Sequence, residues 1–219
     1  MAKSTLTEAV QDYLKEIYKL EARDGCATTS AIADSIGVSP SSASGMVKKL
    51  AALGLAEHTL YRGVTLTHAG ELVALEIVRH HRLLEQYLAE ALDVPIDQVH
   101  DEADRLEHAL SEELEAHIDA ALGHPTHDPH GDPIPDTELS VPDETLRPLS
   151  SLEEGGRATI RRVPDGDAGL LRYLTDIGLV PGEPVTIRHA APFGGPLTVG
   201  LSGDDQAISR ELADEIGVA

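Results

Sequence analysis

Several things this 219-residue chain lacks restrict what it can be. It has one cysteine, Cys26, so no intramolecular disulfide framework can form. No histidine stands close to Cys26 in sequence, and a small packed thiol is the simpler reading than a nucleophile. No run of about 18 apolar residues is present, which leaves no candidate membrane helix. The first twenty residues, MAKSTLTEAVQDYLKEIYKL, hold neither an apolar core nor a small-residue cleavage site, so no signal peptide is expected and a cytoplasmic protein fits. Walker and dinucleotide-binding glycine patterns are missing, as are internal repeats. Positive charge is scarce, with 17 Lys and Arg against 38 Asp and Glu, a net charge of −21.

That balance argues against a polyanionic partner until its distribution is considered. Residues 1–74 carry seven basic against eight acidic side chains, whereas residues 75–219 carry ten against thirty. The acid therefore lies away from the N-terminal segment. Most of it reads as a solvated acidic surface, and a few placed carboxylates read as cation ligands.

Apolar residues at three- and four-residue spacing (Leu6, Val10, Tyr13, Leu14, Ile17, Leu20) predict a first helix with Thr7 as N-cap and Gly25 as its stop. A short helix over 30–36 ending at Gly37 follows. A second starts with Ser39 as N-cap and Pro40 at its first position and runs to about Leu53, before Gly54. Together they describe a helix-turn-helix. Two β-prone stretches around Tyr61, Arg62 and Gly63 predict a two-stranded wing. Long helical regions are expected over roughly 68–92 and 95–122. Their leucines and isoleucines (Leu72, Leu75, Ile77, Leu83, Leu84, Leu88) exceed what one small core needs, which points to association between subunits. A Pro-, Asp- and His-rich stretch spans about 123–150. Short strands then interrupted by a helix over 168–177 predict a small all-β barrel. The expected domains are 1–74, 75–138 and 151–219, with a linker over 139–150.

Two constellations carry chemistry. Ser39, Ser41, Ser42 and Ser44 start the candidate recognition helix, Lys48 and Lys49 follow a turn later, and Arg62 sits in the wing. Short polar side chains read base edges, and Lys or Arg meet phosphates. The competing reading is an ordinary helical hairpin with a serine-rich cap. In the second constellation, His81 and Glu85 are four residues apart, and His100, Asp104 and His108 repeat the same spacing with Glu107 beside them. On one continuous helix His100 and His108 would be roughly 12 Å apart, so one ion cannot use both, and two stacked sites are the natural geometry. Exposed charges on an acidic helix would give the same spacing. Asp12 is either a polar-face residue or a ligand brought from the first helix. His124, His127 and His130 read as hydrogen-bonding members of a rigid loop rather than as ligands.

As an ordered set, QDYLKEIY, IADSIGVSPSSASGMVKKL, VTLTHAGELVALEIVRHHRLLEQYL, VHDEADRLEHALSEELEAHID, HPTHDPHGDPIP and LLRYLTDIGLVPGEPVTI resemble the diphtheria-toxin-repressor family, especially its manganese-responsive branch. The resemblance implies a mainly α winged helix-turn-helix and helical dimerisation domain, followed by an SH3-like (FeoA-type) barrel. It implies a homodimer that represses metal-uptake genes by binding a palindromic double-stranded DNA operator, with no organic substrate and no membrane. Two metal sites per subunit are implied: Asp12, Asp104, Glu107 and His108 in the primary one, His81, Glu85, His100 and Asp167 in the second. The iron-responsive branch has Met and Cys where this chain has Asp12 and Asp104. Oxygen in place of sulfur favours a harder ion, so Mn(II) is expected, with Fe(II) as the alternative. The chain departs from the family at Lys15, where short manganese-type members have a glutamate ligand. It departs again at Leu170, where iron-type members have a glutamine ligand, and at Gly45, where that branch has a longer base-reading side chain. Two other classes fit the same elements less fully. A winged-helix regulator of an organic ligand would bind DNA without metal, and a hydrolytic di-metal enzyme would need a substrate cleft.

Overall fold

The computed structural model describes residues 6–59, 63–142, 144–201 and 203–219. The chain divides into two compact units: 1–80 with 107–109 and 135–140, and 81–106 with 110–134 and 141–219.

In the first unit, helix α1 (Glu8–Asp24) buries Val10, Tyr13, Leu14, Ile17 and Leu20 and ends at Gly25, whose φ of 76° is the left-handed turn that a glycine adopts without strain. Helices α2 (Thr29–Ile36) and α3 (Pro40–Ala52) form the helix-turn-helix. The α3 start is as the sequence predicts: Ser39 Oγ accepts from Ser42 N at 3.2 Å, and Pro40 occupies the first turn. Strands β1 (Ala56–Thr59) and β2 (Gly63–Leu66) pair antiparallel with Thr59 opposite Gly63, which makes the wing. Helix α4 (His68–Leu92) begins with Thr67 as its cap. It can approach β1 only because residue 70 is glycine, since a Cβ there would lie 1.9 Å from the Leu55 carbonyl oxygen. The core of this unit joins α1, Ile32, Ala43, Val47, Leu50 and the wing's Val64.

The second unit carries the remainder of α4, then α5 (Val99–Leu106), α6 (Glu112–Ala121) and a six-stranded antiparallel sheet. Strands β3 (Arg147–Pro148), β4 (Arg157–Arg162), β5 (Pro184–Ala190), β6 (Leu197–Gly200), β7 (Asp205–Ile208) and β8 (Gly217–Val218) lie in the order β3-β8-β4-β5-β6-β7. Alternation in β5 and β6 puts Val185, Ile187, Leu197 and Val199 inside, against Leu171 and Leu174 of α7 (Ala168–Asp176). A short α8 (Arg210–Glu215) precedes β8.

Three expectations need revision. The region 95–122 is two helices rather than one, because Ser111 caps α6 by accepting from Leu114 N and places Glu112, Glu113 and Glu115 in its first turn. The segment 139–150 is linker only in part, since β3 begins at Arg147 and Leu149 is wholly buried in the sheet's core. Of the six residues expected to be surplus to a small core, only Leu72 is exposed; Leu83, Leu84 and Leu88 pack with Val99, Ala103 and Ile118 inside the chain.

Candidate metal centres and nucleic-acid interface

The break between α5 and α6 decides the first cluster. With the helix ended at Leu106, Glu107 and His108 lie in a turn and their side chains are not bound to the rise of a helix. Both belong to the same compact unit as α1. There Asp12, Glu107 and His108 each offer a ligand atom within 4.8 Å of the others. His108 Nε2 is 2.8 Å from Asp12 Oδ1 and 3.5 Å from Glu107 Oε1. Its Nδ1 is 2.8 Å from Gln11 Oε1, and Gln11 Nε2 donates to the Leu6 carbonyl, an orientation that leaves Oε1 as the acceptor. With Nδ1–H donating to Gln11, Nε2 is turned toward two carboxylates. Three acceptors converging on one point are satisfied by a proton or by a cation. Burial raises the Asp12 carboxyl above its ordinary range, and His108 and Lys15 partly oppose that shift. Lys15, whose side chain is 10% exposed, donates to both Glu107 oxygens at 2.8 and 2.9 Å. His80 Nδ1 lies 3.2 Å from the Glu107 carbonyl.

The second unit holds two further groups that meet at Glu85. On one side His81 Nε2 and His100 Nδ1 are each 3.0 Å from Glu85 Oε1, and His81 Nδ1 is 3.2 Å from Asp104 Oδ1. His81, His100 and Asp104 form one possible ligand set. On the other side Glu85, Asp128 and His130 form another, and all three are buried. Asp128 Oδ1 accepts from the backbone N–H of His130 and Asp132, each at 2.9 Å, so the loop's aspartate shapes the turn that delivers the histidine. His130 Nδ1 lies 3.9 Å from Glu85 Oε2, and neither atom has a hydrogen-bond partner among the described residues. Such buried orphans cost roughly 1–3 kcal/mol each, a cost that a cation between them would remove. Burial would raise the Glu85 carboxyl, but the surrounding imidazoles of His81, His100 and His130 hold it well below the carboxylate range. Asp128 is pushed up by burial and by the neighbouring Glu85 and Asp132 carboxylates.

The grouping differs from the sequence reading at several residues. Asp12, Glu107 and His108 come together, as do His81, Glu85 and His100. Asp104 stands with His81 and His100 in the second unit. Asp167 lies outside all three groups: it caps α7, its Oδ1 accepting from Leu170 N at 2.8 Å. Sequence reasoning did not single out Asp128, and it read His130 as a hydrogen-bonding loop residue rather than a ligand, whereas the structure groups both with Glu85. The loop's two other histidines do pair locally, His124 with Asp119 and His127 with Glu144. The available signal was the neighbouring Gly131; its φ is 91° and a Cβ there would lie 1.8 Å from the Arg161 carbonyl oxygen, so the loop is pressed onto β4 at that point. On α3, Ser39, Ser41, Ser42, Lys48 and Lys49 are exposed and Ser44 is half-buried. Arg62 lies outside the described residues.

Comparison with known proteins bears on both parts. The family model described as "Iron dependent repressor, N-terminal DNA binding domain" matches residues 5–64. "Iron dependent repressor, metal binding and dimerisation domain" matches 67–136, and "FeoA domain" matches 147–219. The iron-dependent repressor IdeR of Mycobacterium tuberculosis is 31% identical over 97% of either chain. The diphtheria toxin repressor of Corynebacterium diphtheriae is 32% identical over 97% of either chain. Among solved structures, a manganese-dependent transcriptional repressor in complex with manganese is 39% identical with a TM-score of 0.87, over 96% of this chain and 99% of that one.

Proposed function

Given that the chain belongs to the diphtheria-toxin-repressor family of metal-dependent transcriptional repressors, we propose that Mn(II) activates it through Asp12, Glu107 and His108 and that it grips a palindromic operator as a homodimer. It is a DNA-binding regulator and not an enzyme. The observation that carries the choice of activating site is the convergence of Asp12, on the helix that packs against the helix-turn-helix, with His108 and Glu107.

Bound there, the ion supplies divalent positive charge. The chain's own residues do the rest. Asp12 and His108 drawn to a common point hold α1 to the 107–109 turn. Because α1 shares one core with α2 and α3, holding α1 holds the exposed serines and Lys48 and Lys49 of α3. A palindromic operator presents its half-sites at a fixed helical spacing, so recognition helices held in a dimer bind it better than loose ones. DNA must then tighten metal binding by the same factor. The donors are carboxylate oxygen and imidazole nitrogen, with no sulfur among them, and this favours Mn(II) over softer ions. Fe(II) remains the alternative within the same donor set. A second ion per subunit is assigned to the groups around Glu85, with His81, His100 and Asp104 on one side and Asp128 and His130 on the other.

The test is retardation of operator-length DNA, taken upstream of metal-transporter genes in the source genome. Metal-free protein is titrated with Mn(II), with anaerobic Fe(II), or with chelator. Retardation that needs Mn(II) and reverses with chelator is expected. Equal binding in chelator would sink the proposal and leave a regulator of an organic ligand.

A further inference from the structure

Lys15 follows Asp12 by three residues, on the same face of α1. Its side chain is 10% exposed and that of Glu107 is 1% exposed, yet the ammonium reaches both carboxylate oxygens at 2.8 and 2.9 Å. An ammonium is a strongly hydrated point charge, and removing it from water is costly unless a well-placed anion compensates. Here the compensating anion is Glu107, whose Oε1 also faces His108 Nε2 at 3.5 Å, on the side shared with Asp12. One buried carboxylate thus serves two claimants.

We propose that Lys15 is a built-in counter-ion that competes with the metal for Glu107 and so sets the ion concentration at which the repressor switches. The inference rests on the reading of Asp12, Glu107 and His108 as the activating site. Without metal, Lys15 neutralises Glu107 and links α1 to the 107–109 turn, so the metal-free protein carries no naked buried carboxylate there. For metal to use Glu107, that carboxylate must share its negative charge between the ion and the ammonium, and the ammonium stays nearby as a like charge. Both effects raise the free ion concentration needed.

Calorimetric titration of Mn(II) into the metal-free full chain tests this, read beside thermal unfolding without metal. Lys15→Met and Lys15→Gln are expected to bind Mn(II) about tenfold tighter or more, within the roughly 5–150-fold range of such couplings, and to unfold at lower temperature when metal-free. Lys15→Arg keeps the charge and should stay near wild type in both. A Lys15→Met chain that folds only with Mn(II) counts the same way as tighter binding. Unchanged or weaker Mn(II) binding in both neutral variants overturns the proposal, because Lys15 would then position Glu107 rather than compete for it. A His108→Ala control separates the two readings. If it titrates like wild type, the ion does not bind here and the activating-site reading falls as well.

Discussion

The cluster around Glu107 and the cluster around Glu85 use the same side-chain chemistry in opposite surroundings. The first is half open: the Asp12 side chain is 44% exposed, and a lysine already neutralises its buried carboxylate. The second is closed on the side of Asp128 and His130, where Glu85 Oε2 and His130 Nδ1 face each other without a partner. On the proposed reading, a half-open cluster whose buried carboxylate is already paired can exchange its ion at modest cost, as a sensor must. A buried cluster with orphaned polar atoms gains most from an ion that stays, because unsatisfied groups in low dielectric are expensive. On the proposed reading, the same donors suit signalling around Glu107 and stiffening around Glu85.

Substituting the central carboxylates breaks the comparison most sharply. Glu107→Gln is expected to abolish Mn(II)-dependent DNA binding, weakening Mn(II) at that site by about 100-fold, the upper end of what loss of a supporting group costs a metal site. Glu85→Gln should keep metal-dependent DNA binding while losing the second calorimetric binding event. If the two variants behave alike, the sites are not divided in this way.

Gly131→Ala tests the loop that brings His130 to Glu85. At a φ of 91°, with a Cβ only 1.8 Å from the Arg161 carbonyl oxygen, alanine must displace backbone. The expected cost is about 3 kcal/mol or more, read by denaturant unfolding, with loss of the second binding event at equal Mn(II).

Asp104→Ala asks to which group that aspartate belongs. Its place beside His81 predicts weakened second-site binding and intact activation by Mn(II) in the DNA-retardation assay. Loss of activation would return it to the primary set.

A smaller effect concerns acid. Burial and the neighbouring carboxylates raise the Asp128 pKa above its ordinary 3.8. Between that value and the raised one, the folded metal-free chain binds more protons than the unfolded chain, so this group's contribution to stability is lost as pH rises through the window. Asp128→Asn keeps the acceptor for the turn and should flatten that dependence in metal-free melts across pH, whereas an unchanged slope would place the proton elsewhere. Smallest of all, Ser39→Ala removes the α3 cap, with an expected loss of about 1 kcal/mol in unfolding free energy. Weakened DNA affinity beyond that loss would mark Ser39 as a contact to DNA.

Much of the fold was legible because its signals are local. Thr7 and Gly25 bound α1, Ser39 and Pro40 start α3, and the alternation through β5 needs nothing distant to be read. The halt of α5 at Leu106 was harder to see, because helical spacing runs unbroken through His100, Asp104 and His108 and only the Ser111 cap marks the restart. The site was legible in residue type and in part of its grouping. Asp12 with Glu107 and His108, and His81 with Glu85 and His100, were implied by the family resemblance, and the structure brings each trio together. Asp167 was expected to bridge from the barrel and instead caps a helix, because an aspartate just before a helix finds a backbone N–H closer than any distant partner.

By itself the sequence determined the helices, the wing, the sheet and the chemistry on offer: carboxylates and imidazoles without sulfur at the expected positions, acid kept away from the recognition helix, and a family resemblance spread over nearly the whole chain. Only the tertiary structure decided how those ligands divide and what else they touch. It turned Glu107 toward Lys15, put Asp104 with His81, and carried Asp128 and His130 to Glu85. The physical reason is that spacing along a helix fixes neighbours within one element. Partners across elements are chosen by where turns release a side chain, and by which buried charge must find its opposite.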